Sequence, residues 1–418
     1  MLTLKEISTN DFENFVETLK VESLYQTIYY GMTMEKSGFQ VLYLGMVDES
    51  NILKAATLIL IEKIGKVKYA YAPRGFILDY NNVEILATFT KLIKKHLGKL
   101  DVIAVKLSPL IIRNVYNFEG KLIEQNPNYD TIFKNLKKLG YNHMGYNDFF
   151  EAHKPRFEAI LDLDKPYYEL FKEIKKEFRS KIRSAENNYI KVHKGNFNHL
   201  NYLYLQTKSK YPRDLDYFRN FYYYFYQAKK VDFFYTKLDT SLFLEKMRQD
   251  YQRQANISSE LDAEIMNTEI GNKISLVNQK LSSDNLLSKY KKNMMAATDL
   301  LKTKPDGAIT SSALVVRHND IAYLVMDGND TKLKGFNSKH LLLWKLIEQY
   351  SKQGFKKFNL GGMSNIFAPN NPYAGLNTFK MSFHAKVYEY IGDLELITNS
   401  TLYFMYQNSI PLKGIIKK

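Results

Sequence analysis

The chain contains no cysteine, and none of its 418 residues belongs to a run of roughly 18 uncharged apolar residues. The absence of cysteine excludes disulfides, thiolate catalysis and cysteine-ligated metal, and it fits a reducing cytoplasm. A transmembrane helix needs roughly 20 apolar residues, so the sequence predicts none. Residues 1–6 have no apolar segment of the signal-peptide type. We therefore expect a cytoplasmic protein.

The familiar catalytic motifs are also missing. The eight histidines form no i, i+4 pair on a predicted helix, and no paired-carboxylate motif is present. The sequence has no Walker loop, no Gly-x-Gly-x-x-Gly pattern and no nucleophile elbow. It therefore predicts neither a metal nor a cofactor. An enzyme without these groups would act by positioning its substrates and by electrostatics.

Positive charge is abundant. Lys plus Arg is 59 and Asp plus Glu is 44, so the formal net charge is +15. This excess favours a polyanionic partner, namely nucleic acid, an anionic membrane face or a phosphorylated ligand, and the alternative is a biased composition. Residues 241–300 sum to about zero, so the charge lies on the globular parts. The densest cluster consists of Lys172, Lys175, Lys176, Arg179, Lys181, Arg183, Lys191 and Lys194.

Apolar periodicity predicts an α/β protein with two related mixed-sheet halves. The predicted strands cover residues 41–47, 55–62, 67–71, 102–107, 158–163, 231–237, 309–316, 320–326, 357–360 and 387–391. The predicted helices cover residues 82–96, 167–187, 197–209 and 337–353. We place the domain boundary near residues 145–156, with a first subdomain over 1–150 and a second over 151–240 and 303–418.

Residues 241–302 differ from the rest of the chain because they contain no proline and a single glycine. Apolar residues recur there at steps of three and four, which predicts two helices, each roughly 40 Å long, that fold back at Gly271-Asn272. We interpret the apolar seam as the core of this helical arm. The sharper hypothesis is that the arm grips tRNA or a partner protein.

The hairpin over residues 309–326, followed by the helix over 337–353, resembles the core of GNAT acyltransferases. Such folds bind the CoA pyrophosphate through a glycine-rich loop at the start of this helix. Residues 332–337 contain one glycine, Gly335. The resemblance therefore favours a donor other than acetyl-CoA.

Several short motifs occur in the order typical of the FemABX peptidyl-bridge aminoacyltransferases, and the chain resembles this family over nearly its whole length. The motifs are Gln26-Thr27, Arg74-Gly75, Asp79-Tyr80, Gly335, Asn359-Leu360-Gly361-Gly362, Phe379-Lys380 and Glu389-Tyr390-Ile391-Gly392-Asp393. The resemblance implies two GNAT-like subdomains with an inserted antiparallel arm. It also implies an aminoacyl-tRNA donor and an acceptor that is lipid II or UDP-MurNAc-pentapeptide. The reaction would add glycine, alanine or serine to the side-chain amine of the third stem-peptide residue.

The resemblance assigns the donor site to Lys380 and Phe379. Lys380 matches the lysine beside the tRNA 3′ end, where an ammonium would stabilise the tetrahedral oxyanion. The alternative is a solvated surface lysine. Phe379 would stack on the terminal adenine, or else belong to the core. The basic helix with Lys172, Lys175, Lys176, Arg179, Lys181 and Arg183 would bind the tRNA backbone, and the alternative is a solvated helix face.

The acceptor residues are assigned in the same way. Arg213 matches an arginine that contacts the precursor's phosphates, with a salt bridge to Asp214 or Asp216 as the alternative. Arg74 follows a strand, where a loop can face a cleft. Lys36 lies near the family's precursor-binding lysine, although Met32 and Met34 lie nearer the matching position.

Ser108 departs from the family because relatives commonly carry aspartate before this proline. Either the carboxylate is not needed, or the acceptor binds differently here.

Two other functions stay open. The first is a non-catalytic tRNA- or membrane-binding protein on a degenerate GNAT scaffold. The second is a related transferase that modifies a free peptide or a phospholipid. Use of lipid II would require contact with the inner membrane face, with which the basic surface is compatible. Assembly with itself or with related Fem proteins is a further expectation.

Overall fold

The structure, a computed structural model, describes residues 1–65, 67–209, 213–269 and 273–409. The strands are β1 Thr3–Glu6, β2 Gln40–Val47, β3 Leu53–Ile64, β4 Val67–Ala72, β5 Val102–Leu107, β6 Ile112–Tyr116, β7 Leu122–Gln125, β8 Tyr141–His143, β9 Phe157–Asp162, β10 Ile190–Gly195, β11 Val231–Leu238, β12 Ala308–His318, β13 Ile321–Asn329, β14 Lys357–Met363, β15 Lys386–Tyr390 and β16 Leu394–Ile397. The helices are α1 Thr9–Thr18, α2 Ile28–Lys36, α3 Val83–Lys99, α4 Tyr129–Lys138, α5 Tyr167–Glu173, α6 Lys176–Asn187, α7 Leu200–Thr207, α8 Leu215–Gln227, α9 Thr240–Asn267, α10 Lys273–Thr303, α11 Ser338–Lys352, α12 Ala374–Met381 and α13 Ser400–Ser409.

The strands form two mixed sheets. The first has the order β1-β2-β3-β4-β5-β16-β8, and the second has the order β10-β11-β12-β13-β14-β9-β15-β6-β7. Within the described residues the parallel pairs are β4 with β5 and β13 with β14. Helix α3 covers the first sheet with Leu86, Phe89 and Ile93, and helix α11 is buried on the second. The predicted α/β class, with two mixed sheets and an inserted helical arm, is confirmed.

Each sheet is completed by strands from the other half of the chain. Strand β16 pairs with β5 and β8 of the first sheet, and β6 pairs with β15 of the second. The strand predicted over residues 387–391 is therefore not the last, because β16 follows it. The predicted domain limits stay a prediction. Strands β6 and β7 fall in the predicted first subdomain but belong to the second sheet, and β16 falls in the predicted second subdomain but belongs to the first sheet.

Strands β13 and β14 separate after a short parallel contact. They pair only from Ile321 opposite Lys357 to Tyr323 opposite Asn359. Beyond this point β13 follows β12, which has a register shift at Leu314/Val315, and β14 follows β9. Gly361 has a φ of +79°, a backbone conformation that favours glycine. The separation opens a gap in the sheet beside helix α12.

Helices α9 and α10 form the predicted arm, and its predicted turn at Gly271-Asn272 lies outside the described residues. The predicted apolar seam is wrong for the outer half. Among the described residues of the arm, the buried apolar cluster lies at the base and consists of Leu244, Met247 and Ala297. Farther out the helices meet through polar side chains, because Gln254 Nε2 donates to Ser283 Oγ at 2.7 Å. Residues of the predicted seam are consequently exposed, among them Ile274 and Leu281.

Two other helical predictions need correction. The helix predicted over residues 167–187 is interrupted at Ile174 and Lys175, whose ψ is 136°. The break buries Ile174, and Lys175 N–H donates to Ser382 O at 3.2 Å. Helix α8, which packs against α2, was not predicted. None of the described helices combines the length and the apolar content that a bilayer crossing requires.

Candidate active site between the two sheets

The turn after strand β4 is held in place by the N-terminal segment. Gln26 Nε2 donates to Pro73 O at 2.8 Å, and Gln26 Oε1 accepts from Leu58 N–H at 2.8 Å. A Cβ on Gly75 would lie 2.9 Å from Gln26 Nε2, so a larger residue would displace this clamp. The clamp fixes Arg74, whose φ is +56°. The structure thus explains two residues of the sequence motifs: Gln26 holds the turn, and Gly75 leaves room for the Gln26 side chain.

Arg74 is buried and bound at the centre of the site. Its Nη2 donates to Pro155 O at 2.8 Å and to Glu158 Oε1. Glu158 also accepts from Asn359 Nδ2 at 2.8 Å, and Asn359 Oδ1 accepts from Gly361 N–H at 2.7 Å. This chain of hydrogen bonds connects the Arg74 turn to the strand that separates from β13.

Arg74 and Glu158 line a cavity of about 430 Å³ between the two sheets. Tyr323, Tyr390 and Asn359 also line it. The Tyr323 hydroxyl is buried and has no hydrogen-bond partner among the described residues. Arg74 is therefore buried in the wall of this cavity and is not an exposed surface residue.

Lys380 projects from helix α12 onto the displaced strand. Its side chain is 7% exposed, and Nζ donates to Gly362 O at 2.7 Å. Burial lowers the pKa of Lys380 to about 8, with a smaller lowering by Lys339, against Asp327 and Glu158, which raise it. The alternative of a solvated surface lysine is therefore wrong. An ammonium has three donors, so Lys380 retains N–H groups for a ligand.

Phe379 lines a second cavity, of about 320 Å³, formed by the starts of helices α11 and α12. Lys334, Lys339 and His340 also line it. The centroids of the Phe379 and His340 rings lie 5.0 Å apart. Lys339 Nζ lies 5.0 Å from the centroid of the Phe379 ring. Burial lowers the pKa of His340 to about 4, with a further lowering by Lys181, so the imidazole is neutral at pH 7. The cavity thus combines flat rings with lysine charge.

Helix α6 carries most of the predicted basic cluster and borders this second cavity. Phe178 on its buried face lies 4.8 Å from His340 and 5.8 Å from Phe379, between ring centroids. The six cations do not share one helix, because Lys172 lies on α5 and Lys175 lies in the break before α6. The others are Lys175, Lys176 and Arg183, which are exposed, and Arg179 and Lys181, which are half-buried.

Ser108 at the end of strand β5 is bound to a carboxylate from the far end of the chain. Ser108 Oγ donates to Asp393 Oδ1 at 2.6 Å and lies 3.1 Å from the Tyr71 hydroxyl. Lys106 Nζ lies 2.9 Å from Asp393 Oδ2. Ser108 and Asp393 are each 1% exposed. Asp393 therefore supplies a negative charge beside Ser108.

Arg213 lies at the start of helix α8, with its guanidinium 4.2 Å from the centroid of the Tyr217 ring. Of the two carboxylates considered as salt-bridge partners, Asp214 caps the helix by accepting from Tyr217 N–H at 2.7 Å. Asp216 pairs with Arg219 at 3.2 Å.

Lys36 is the last residue of helix α2 and is exposed, while Met32 and Met34 are half-buried in the core between α2 and α8. The structure does not bring Lys36 together with the buried groups described above.

Three charged residues of the site were not predicted from the sequence. Asp393 stands inside a quoted motif, which was a usable signal, but it received no role. Glu158 was read only as the start of a strand. Lys154, in the extended segment before β9, lies with Nζ 3.3 Å from the Tyr25 ring centroid, and nothing in the sequence marks it. Among the described residues no group of three or more metal-ligating side chains occurs.

The chain is similar to known proteins over nearly its whole length. The model of the FemAB family matches residues 7–409. A lipid II:glycine glycyltransferase of Staphylococcus epidermidis is 24% identical, covering 97% of this chain and 95% of the relative. An aminoacyltransferase FemB of the same species is 27% identical, with 99% of both chains covered. A crystal structure of FemX has a TM-score of 0.71 at 21% identity and covers 96% of this chain and 99% of its own.

Proposed function

Because this chain belongs to the FemAB family, we propose that it transfers an amino acid from aminoacyl-tRNA to a peptidoglycan precursor. The accepting group would be the side-chain amine of the third stem-peptide residue. The amino acid is glycine, alanine or serine, and the acceptor is lipid II or UDP-MurNAc-pentapeptide. The observation that carries the proposal is the buried Lys380 amine, which adjoins the gap between β13 and β14.

The cavity lined by Phe379 supports an RNA 3′ end as the donor. A terminal adenine can stack on an aromatic ring, which contributes roughly 1–3 kcal/mol. Lys334 and Lys339 provide positive charge for the phosphates at the same cavity. Helix α6 extends this charge along the surface. The donor would therefore lie along α6 with its end directed at Lys380.

The chemistry is the conversion of an ester to an amide. The acceptor amine, after losing its extra proton, attacks the aminoacyl carbonyl and forms a tetrahedral oxyanion. This attack forms the C–N bond. The carbonyl then re-forms as the ester C–O bond breaks, and the proton lost by the attacking nitrogen passes to the ribose oxygen, which leaves as a hydroxyl. Lys380 would stabilise the oxyanion or the departing oxygen with its remaining N–H groups. With a pKa of about 8, this amine is mostly protonated at pH 7.

Asp393 and Ser108 are the proposed positioning groups for the acceptor amine. The Asp393 carboxylate is fixed by Ser108 and Lys106, so its charge has a defined direction. A carboxylate in this position favours an ammonium nearby and can orient it before the proton leaves. In this proposal the departure at residue 108 changes which residue supplies the charge and leaves the reaction unchanged.

The test is incubation of the purified full chain with radiolabelled glycyl-, alanyl- and seryl-tRNA, together with lipid II or UDP-MurNAc-pentapeptide. We expect label in the precursor. Lys380→Ala should reduce turnover by about 100-fold, comparable to the loss of one oxyanion donor. Lys356→Ala, which removes an exposed lysine, is the matched control.

Three results would contradict the proposal or part of it. Transfer to no acceptor while tRNA still binds would favour the non-catalytic binding protein. Transfer by Lys380→Ala at a nearly unchanged rate would remove Lys380 from the reaction. Transfer to a free peptide or a phospholipid alone would keep the donor and replace the acceptor. A panel containing both compounds therefore belongs in the same experiment.

A further inference from the structure

Strand β13 has a bulge where it separates from β14. The extra residue is Val325, because its two neighbours, Leu324 and Met326, lie opposite consecutive residues of β12. A bulge shifts the alternation of side chains between the two faces of a strand. Leu324 belongs to the core that helix α11 covers, whereas Met326 belongs to the core on the opposite face. After the bulge Asp327 lies on the α11 side, where its carboxylate pairs with Lys339 of that helix.

Asp327 lies between the two parts of the proposed donor site. On one side, a Cβ on Gly361 would lie 3.4 Å from Leu324 O and 3.7 Å from Lys380 Nζ. Glycine therefore leaves a space that these two groups border. On the other side, Asn329, two residues after Asp327 on β13, lines the second cavity. A donor that runs from the second cavity to the Lys380 amine must pass Asp327.

The distances fit an aminoacyl group. Asp327 follows Leu324 by three residues, which is roughly 10 Å of extended strand. An aminoacyl group with one hydrogen bond at its carbonyl oxygen and one at its α-nitrogen spans roughly 8–9 Å between the two protein atoms. A carbonyl beside Lys380 can therefore have its α-nitrogen at the Asp327 carboxylate.

A carboxylate on the path of an RNA end is unfavourable unless it meets a positive charge, because it repels the phosphates. Lys339 pairs with Oδ1 of Asp327, but a carboxylate can accept about four hydrogen bonds. Asp327 also interacts with Lys380, since after burial it has the largest effect on the pKa of that amine, which it raises. In a glycyl, alanyl or seryl ester, the α-ammonium is the positive group of the donor.

We propose that the Asp327 carboxylate binds the α-ammonium of the donor's aminoacyl group. The inference rests on the proposed function. The ligand is thus an ester of an α-amino acid with a free amine, and an N-acylated donor lacks the group that is recognised. Binding of the ammonium would hold the carbonyl beside Lys380 for the attack. The alternative is a contact between Asp327 and the ribose hydroxyls, which aminoacylated and deacylated tRNA share.

The experiment measures binding of the full chain to three forms of one tRNA at pH 6, by fluorescence anisotropy. The first form carries glycine on a 3′ amide, which the chain cannot transfer. The second carries the same glycine with its amine acetylated, and the third is deacylated. We expect the wild type to bind the glycyl form at least about 10-fold more tightly than the acetylated form, as for one hydrogen bond between charged groups. Asp327→Asn should lower this ratio to about 2 or less, with unchanged affinity for the other two forms.

Three further variants sharpen the result. Asp327→Glu keeps the charge and should retain a higher ratio than Asp327→Asn. Lys339→Met removes the partner of the carboxylate and leaves the carboxylate, so it should weaken binding of all three forms equally and preserve the ratio. Asp320→Asn, at an exposed carboxylate in the turn before β13, is the matched control and should behave as the wild type.

An unchanged ratio in Asp327→Asn would overturn the inference, as would a ratio that depends on Lys339 and not on Asp327. Equal losses of affinity for the glycyl and deacylated forms would overturn it in favour of the ribose hydroxyls. Failure of the proposed function is a separate result. A ratio that depends on Asp327 in a chain that transfers no amino acid would support the ammonium site and refute the transferase. Transfer by a chain that binds the glycyl and acetylated forms equally would do the reverse.

Discussion

Replacing Lys380 with methionine should stabilise the protein while abolishing its activity. The physical reason is that folding buries a charged amine. The pKa of Lys380 falls from 10.5 to about 8. This difference corresponds to about 3 kcal/mol of stability lost at pH 7, at about 1.4 kcal/mol for each tenfold change in the proton equilibrium. Methionine has a similar length, no charge and a flexible side chain that fits irregular spaces.

One term opposes this gain. Lys380 Nζ donates to Gly362 O at 2.7 Å, and the variant leaves that carbonyl without this donor. The loss should cost about 1 kcal/mol. The net expectation at pH 7 is therefore a stabilisation of about 2 kcal/mol in Lys380→Met relative to the wild type.

The pH dependence provides the sharper check. The folded-state pKa lies below the unfolded one, so wild-type stability rises as pH increases from about 8 towards 10.5, where the amine loses its proton in both states. The advantage of Lys380→Met should therefore shrink to roughly zero by about pH 10.

Urea unfolding of both proteins, followed by circular dichroism at several pH values, measures this difference. A destabilised variant at pH 7, or a difference independent of pH, would refute the reasoning.

Two further predictions concern the acceptor and the donor. Asp393→Asn should lower turnover about 100-fold with tRNA affinity unchanged, and the double variant Ser108→Asp/Asp393→Asn should recover part of the rate, as steady-state kinetics would show. An inactive double variant would show that a carboxylate at residue 108 cannot replace the carboxylate at residue 393. Lys176→Gln/Arg179→Gln should reduce the slope of log affinity for tRNA against log salt by about 1–2, and an unchanged slope would remove α6 from the footprint.

The fold class follows from the sequence because strand and helix periods are local properties. The strand over residues 102–107 was predicted with the observed limits, and the strand predicted over 41–47 begins one residue later than the observed one. The arm of two antiparallel helices was predicted as well, but the side chains that pack between the helices were not. Apolar spacing shows which side chains share a helix face, whereas the partner helix decides whether that face is covered. Gln254 and Ser283 occupy the contact instead.

The site residues were predicted unevenly for a related reason. Phe379-Lys380 stands out as a motif, but the burial of Lys380 depends on Gly362, which strand β14 brings to it from 18 residues earlier in the chain. Ser108 looked like a lost carboxylate because its partner Asp393 lies 285 residues away. No local pattern contains such distances. Strand β16 pairs with β5 in the first sheet, and this pairing brings Asp393, just before β16, to Ser108, just after β5.

The two sheets are also joined by one buried ion pair, between Arg74 and Glu158. Arg74 belongs to a turn of the first sheet, and Glu158 belongs to a strand of the second, so their pair joins the two sheets. Glu158 raises the pKa of both Lys380 and Lys154. Breaking a buried ion pair by removing one partner costs about 3–5 kcal/mol, so the two sheets resist moving apart here. The proposed reaction relies on positioning and requires this rigidity, because the proposed acceptor and donor sites are formed by different parts of the chain.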